Sequence, residues 1–291
     1  MIGFGLFDLI ALGTLLLFGL TVLFFSRSGN DLAPNNPRAY LAARTGLGAS
    51  RGERRLAVCA GDSITRGATS VDYVSMLASR LPEWDFVNAG VNAELAFNLA
   101  LRMDDIVALD PDAVTVLIGT NDVNATFGFG SALGYIAAKR LPERPSPYFF
   151  RENLVSIVRT LKRETRARVA LFSIPPIGED REHYAYLRTE EYSAVVEGVA
   201  REERVEYLPL HERLCAYLES LPPSGPPPLD FRGIRAAQLR AGRTQRYLGK
   251  SLDEISASNR FHILVDGLHL NTHGASIAAD LAEAFLRFRI A

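Results

Sequence analysis

Short apolar runs alternate with amphipathic stretches along most of this 291-residue chain, and this alternation is the feature that most narrows its fold. It starts at Arg55 and is typical of a parallel sheet covered by helices. The predicted strands are 56–60, 84–88, 113–118, 168–173 and 205–208. The predicted helices are 70–81, 95–109, 148–164, 184–203 and 272–289, with a short one at 37–45. Five such units predict one doubly wound α/β domain rather than two.

Two stretches interrupt the alternation. Residues 127–147 follow the third strand and are rich in glycine and proline, so we expect a loop over the edge of the sheet. Residues 221–261 begin with LPPSGPPPLD, which holds five prolines in ten residues and excludes an ordinary helix there. We treat 221–261 as an insertion in a domain that spans 55–291.

Polar motifs stand where the predicted strands end. They are Gly61-Asp62-Ser63 after the first strand, Asn88-Ala89-Gly90 after the second, Gly119-Thr120-Asn121-Asp122 after the third and Asp266-Gly267-Leu268-His269 before the last helix. Ligands bind beyond the carboxyl ends of the strands in open parallel sheets. We therefore expect these four motifs to meet at one site.

The residue types in these motifs suit acyl transfer. A serine hydroxyl needs a base to remove its proton, and a carboxylate holds an imidazole in the tautomer that does so. Ser63 is the candidate nucleophile, His269 the base and Asp266 its partner. The tetrahedral intermediate also needs hydrogen-bond donors, for which the Ser63 N–H, the Gly90 N–H and the Asn121 amide are candidates.

These four blocks, in this order, resemble the SGNH or GDSL hydrolase family from about Leu56 to the end of the chain. The resemblance implies a flavodoxin-like three-layer α/β/α fold and esterase or lipase chemistry without a cofactor. It also implies a triad of Ser63, His269 and Asp266 and an oxyanion hole of Ser63, Gly90 and Asn121. One departure is visible, because the family's second block commonly has another glycine where this chain has Ala93.

Two alternatives remain open. One is a catalytically silent binding module on the same fold, anchored to a membrane. The other is a metal-dependent hydrolase, because Asp266, His269 and His273 have a spacing that suits metal ligands. The expected substrate is an ester of a small molecule, lipid or glycan. The near balance of 32 basic and 33 acidic residues provides no general attraction for nucleic acid.

The N-terminal segment 2–25 is apolar and carries one charge, Asp8. As a helix it would extend about 36 Å, enough to cross the hydrocarbon core of a bilayer. We predict a single-pass membrane anchor over 1–28 and a tether over 29–54. A cleaved signal peptide and a buried core helix are the alternatives, and the side of the membrane that the catalytic domain faces stays open.

The insertion carries a local excess of positive charge. Between Phe231 and Leu252 there are six basic residues and no acidic one: Arg232, Arg235, Arg240, Arg243, Arg246 and Lys250. A solvated basic face is one interpretation. Contact with anionic lipid or with an acidic substrate is the other.

Overall fold

The computed structural model describes residues 31–46, 54–222 and 231–288. The predicted anchor over 1–28 lies outside these ranges, as does part of the predicted tether. No helix within them combines the length and the apolar character that crossing a bilayer requires.

A five-stranded parallel sheet forms the centre of the molecule. Its strands are β1 Arg55–Gly61, β2 Trp84–Gly90, β3 Ala113–Leu117, β4 Arg168–Phe172 and β5 Glu206–Leu208. They lie in the order β2-β1-β3-β4-β5, which is the flavodoxin-like order. In register, Gly61 stands beside both Gly90 and Leu117, so three strands end at one level. The five predicted strands are therefore confirmed, to within one or two residues at their ends.

Thirteen helices occur in the described ranges. In chain order they are α1 Pro37–Gly46, α2 Ser63–Arg66, α3 Tyr73–Arg80, α4 Ala96–Leu101, α5 Met103–Val107, α6 Thr120–Asn124, α7 Phe129–Lys139, α8 Pro147–Glu164, α9 Tyr184–Glu203, α10 Leu210–Glu219, α11 Phe231–Leu248, α12 Leu252–Ser258 and α13 Thr272–Arg287.

The molecule has three layers, with the sheet between two layers of helices. Alternate residues of each strand face opposite helical layers. In β1, Leu56 and Val58 belong to the core beneath α4, α5, α8 and α9. Ala57 and Cys59 belong to the core beneath α3, α10 and α13. Cys59 is a buried free thiol, and burial raises its pKa to about 12.

The helix predicted over 95–109 is interrupted at Arg102, which separates α4 from α5. The Arg102 guanidinium donates to Glu94 Oε2 at 2.8 Å and to the carbonyl of Ala89 at 2.8 Å. These bonds connect the break to the end of β2 beside the candidate site.

The loop predicted over 127–147 is wrong in its middle, where α7 forms. The helix buries Ser131, Ala132 and Tyr135 on one face. Ser131 Oγ donates to the carbonyl of Asn124, which fixes α7 against the end of α6.

The insertion is also more helical than its prolines indicated, because it contains α11 and α12. The proline-rich residues 223–230 lie outside the described ranges. In α11, Ile234, Ala237 and Ala241 are buried at helical spacing. Tertiary burial of this apolar stripe stabilises a helix that contains Gly242 in its interior.

Candidate active site

Ser63, His269 and Asp266 form a continuous chain of hydrogen bonds at the carboxyl end of the sheet. The Ser63 Oγ lies 2.9 Å from His269 Nε2, and His269 Nδ1 lies 2.8 Å from Asp266 Oδ2. The three residues are 7, 6 and 1% exposed. A bond from Nδ1–H to the carboxylate leaves the lone pair of Nε2 directed at the serine hydroxyl. The structure thus brings together the three residues predicted for the triad.

The turn after β1 places Ser63 at the start of α2. Asp62 caps this short helix, and its Oδ1 accepts from the Ile64 N–H at 2.9 Å. The end of β1 lies very close to β3. A Cβ added to Gly61 would approach the Leu117 carbonyl oxygen to 2.2 Å. Glycine is therefore needed at position 61 to bring β1 and the nucleophile turn this close to β3.

Asp266 and His269 lie in a tight loop that is held from two sides. Asp266 Oδ1 accepts from the backbone N–H groups of Leu268 at 3.1 Å and His269 at 3.0 Å. The buried Glu179 carboxylate accepts from three successive N–H groups, those of His262, Ile263 and Leu264, at distances of 2.8–3.1 Å.

Glu179, which follows β4 in the chain, therefore holds the backbone segment that leads into this loop. Sequence reasoning missed it, because Glu179 lies in no motif and more than 80 residues before the loop that it holds. Only its place in the fold gives it this contact.

Burial and neighbouring carboxylates control the protonation of the site. Burial alone would lower the pKa of His269, but the charge and hydrogen bond of Asp266, with the charge of Asp62, raise it above 6.5. Burial also raises the pKa of Asp62 to about 7, against the lowering effect of the Ile64 N–H. The pKa of each group therefore lies above its ordinary value.

Asn121 lies at the wall of the same site, at the start of α6. Its Nδ2 donates to Glu94 O at 3.0 Å and to Asp62 Oδ2 at 3.2 Å, and its Oδ1 accepts from Tyr135 OH at 2.8 Å. The amide orientation is thus fixed by three partners. Asn121 and Ser63 line the same cavity, and the contact from α7 was not foreseen.

Gly90 was predicted to supply an N–H donor to the site, and the structure corrects this prediction. Its N–H donates to Asn88 Oδ1 at 3.0 Å. A Cβ at this position would meet the backbone nitrogen of Arg66 at 2.2 Å. Gly90 therefore lets β2 pack against α2, and its N–H is already bonded.

Ala93, three residues later, lies at the site. It lines the cavity that Ser63 and His269 also line, and it has a left-handed φ of 58°. Neither the Ala93 N–H nor the Ser63 N–H has an acceptor among the described residues. Both are available to a ligand.

We expect Gly90→Ala and Ala93→Gly to have opposite effects. Gly90→Ala should lower the midpoint of thermal unfolding by several degrees, because the added Cβ must displace the α2 backbone. Ala93→Gly should keep or slightly raise the midpoint, because glycine adopts a positive φ without strain. Calorimetry of both variants checks this, and equal midpoints would contradict the assignment.

The nucleophile opens onto a cavity of about 360 Å³. Its lining comes from the ends of the strands, from α7 and from α11: Ser63, Thr69, Asn92, Ala93, Asn121, Asn124, Tyr135, Gln238, Leu239, Gly242, Arg243, Arg246, Tyr247, Leu268 and His269. The sequence indicated the strand ends but not the contribution of α7 and α11. Helix α7 lies in a segment that was expected to be a loop, and α11 begins directly after the proline-rich run.

The arrangement does not favour the metal alternative. His273 is exposed, and its ring lies against Tyr217 with the centroids 4.0 Å apart, instead of joining Asp266 and His269. Within the described residues, no group of three His, Cys, Asp or Glu side chains is placed to hold a metal ion.

Comparison with known proteins agrees with the fold and the motifs. Residues 59–277 match the model of the GDSL-like lipase/acylhydrolase family. No curated protein matches the chain. This chain belongs to the GDSL-like lipase/acylhydrolase family, and that membership supports ester hydrolysis as its class of reaction.

Solved structures with the same fold include two acetylxylan esterases. Axe2 from Geobacillus stearothermophilus is 20% identical, with a TM-score of 0.58 over 82% of this chain and 96% of that one. The acetyl xylan esterase AlAXEase is 19% identical, with a TM-score of 0.54 over 79% of this chain and 99% of that one.

Proposed function

We propose that the protein is a serine esterase that hydrolyses carboxylic esters through an acyl-enzyme. The observation that carries this proposal is the hydrogen-bonded chain from Ser63 through His269 to Asp266, with the serine hydroxyl facing a cavity. A nucleophile, a base and an orienting carboxylate in this geometry suit acyl transfer.

In the first half-reaction, His269 Nε2 accepts the hydroxyl proton while Ser63 Oγ attacks the carbonyl carbon of the ester. The tetrahedral intermediate collapses as the C–O bond to the alcohol breaks, and the His269 imidazolium protonates the departing oxygen. In the second, His269 removes a proton from water, the hydroxide attacks the acyl carbon, and Ser63 regains its proton as the acid leaves.

The negative oxygen of the intermediate needs donors, and three groups at the cavity can supply them. The Ser63 and Ala93 N–H groups have no acceptor among the described residues. The Asn121 amide, which lines the same cavity, is the third. Each such donor contributes about 100- to 1000-fold to turnover.

The related structures support the same roles. Variants of Axe2 described as catalytic mutants replace a serine, an aspartate and a histidine, the last two separated by three positions. Ser63, Asp266 and His269 have the same residue types and the same separation in this chain.

A panel of 4-nitrophenyl acetate, butyrate, octanoate and palmitate tests the function. We expect hydrolysis with an initial burst of 4-nitrophenol, because acylation releases the alcohol before water releases the acid. The chain length with the highest kcat/KM would identify the acyl group that the cavity accepts. Absence of hydrolysis across the panel and across acetylated sugars would contradict the proposal.

Activity should fall at acid pH. The base must be neutral, and the raised pKa of His269 means that protonation begins above the ordinary histidine value of 6.5. Rates of 4-nitrophenyl acetate hydrolysis from about pH 5 to about pH 9 should therefore show an acid limb with an apparent pKa above 6.5. A limb at or below that value would show that Asp266 does not raise the basicity of His269.

A further inference from the structure

Helix α11 forms one wall of the cavity that contains Ser63. Its buried stripe of Ile234, Ala237 and Ala241 fixes the helix to the domain. The residues of α11 that line the cavity are Gln238, Leu239, Gly242, Arg243, Arg246 and Tyr247. The insertion is therefore part of the site and not a separate surface.

Two of these lining residues are cations that form no ion pair with any residue in the part of the chain that the structure describes. Arg243 and Arg246 are both exposed, and neither bonds to a carboxylate among the described residues. Arg102, which is partly buried, is in contrast paired with Glu94 at 2.7 Å. No acidic side chain is among the described residues that line the cavity.

A solvated basic face does not account for this placement. Arg240 on the same helix is also exposed and has no acidic partner within the described ranges, but it does not line the cavity. Arg243 and Arg246 share the cavity with Ser63 and His269. Two adjacent guanidinium groups in a partly enclosed site favour an anionic ligand, because the fork of each group matches a carboxylate or a phosphate.

Apolar side chains line the cavity beside these arginines. Leu239 and Tyr247 come from α11, while Leu268 and Tyr135 line the other side. An ester that fits this cavity therefore presents an apolar part together with its charge.

We propose that Arg243 and Arg246 bind an anionic group of the ester substrate, a carboxylate or a phosphate, while Ser63 attacks its acyl carbon. This inference rests on the proposed esterase function and names the substrate class of the same site. The arginines set specificity and take no part in the bond changes.

Two matched pairs of substrates test the inference. The first compares 4-acetoxybenzoate with 4-acetoxybenzamide, so that the charge lies on the alcohol side. The second compares the mono-4-nitrophenyl ester of adipic acid with 4-nitrophenyl hexanoate, so that it lies on the acyl side. We expect the wild-type protein to have a kcat/KM about 5- to 20-fold higher for the anionic member of at least one pair, as a charge-assisted contact implies.

Arg243→Gln and Arg246→Gln should each reduce this preference, and the double variant should abolish it. Arg240→Gln is the matched control, because it removes the same charge from the same helix outside the cavity. Hydrolysis of the neutral esters should stay within about twofold in Arg240→Gln, and in the variants of Arg243 and Arg246 it should fall less than hydrolysis of the anionic esters. The preference should weaken with added salt. Neutral esters hydrolysed without any anionic preference, or a preference lost equally in Arg240→Gln, would overturn the inference and leave the esterase proposal intact.

Two lipid substrates distinguish the source of the anion. Lysophosphatidylglycerol is anionic and lysophosphatidylcholine has no net charge, and both present an acyl ester beside a phosphate. A preference for the first that disappears in the double variant assigns the anion to a lipid head group. A preference confined to the soluble pairs assigns it to a soluble ester. No preference in either set contradicts the proposal.

Discussion

Ser63→Ala is expected to lower kcat for ester hydrolysis by about 10⁴- to 10⁶-fold, because it removes the nucleophile while the rest of the site remains. The Ser63 Oγ makes a bond to His269 Nε2 at 2.9 Å, and its loss leaves no other hydroxyl in that position. Initial rates with the preferred 4-nitrophenyl ester measure the effect.

Ser193→Ala is a matched control for this change. Ser193 is also buried, and its Oγ bonds to the backbone of Ile174 beneath α9, outside the cavity. We expect it to lower stability by about 1 kcal/mol and to leave kcat within about twofold. A Ser63→Ala protein that folds normally and retains wild-type rates would exclude the mechanism.

Asp266→Asn is expected to lower kcat by about 10⁴-fold with little change in the fold. The asparagine Oδ1 can still accept from the Leu268 and His269 N–H groups, so the loop keeps its backbone bonds. Its Nδ2 would face His269 Nδ1 as a donor, which forces the proton onto Nε2 and leaves the Ser63 hydroxyl without an acceptor.

The same variant should also shift the pH profile. Asp266 raises the pKa of His269 by its charge and its hydrogen bond, so its neutral replacement should move the acid limb of the remaining activity to lower pH. Asp266→Ala separates the two roles, since it also removes the loop bonds and should lower the thermal midpoint. An unchanged pH profile in Asp266→Asn, with kcat near wild type, would show that Asp266 does not orient the base.

The strands and the three triad residues could be predicted because their signals are local. Apolar runs define strands wherever both faces of a sheet are buried, and parallel strands necessarily bring their carboxyl ends together. The turn residues after β1 therefore lie at the edge of the sheet where ligands bind, and the loop before α13 meets them there.

The errors arose where tertiary contacts override local preference. Gly90 was assigned as a donor because glycine permits close approach, but the approaching group is the α2 backbone and not a substrate. Ala93 carries no such signal, since its positive φ is imposed by the loop between β2 and α4. Helix α11 forms despite Gly242 because its buried stripe supplies the stabilisation, and that burial is visible only in the fold.

The basic residues of the insertion illustrate the same limit. The sequence showed an excess of positive charge, but it did not separate Arg243 and Arg246, which line the cavity, from Arg240, which does not. The membrane anchor predicted over 1–28 stays a prediction, as does the division into anchor, tether and domain.

Labelling with a fluorophosphonate tests the central claim most directly, because the reagent modifies a serine only where a base activates it. Peptide mass spectrometry of the labelled protein should find one adduct, on Ser63, and pre-incubation with the preferred ester should slow its formation. His269→Ala should prevent labelling although Ser63 is still present. A protein that hydrolyses esters at full rate with Ser63 unmodified, or that carries its adduct on another residue, would contradict the account.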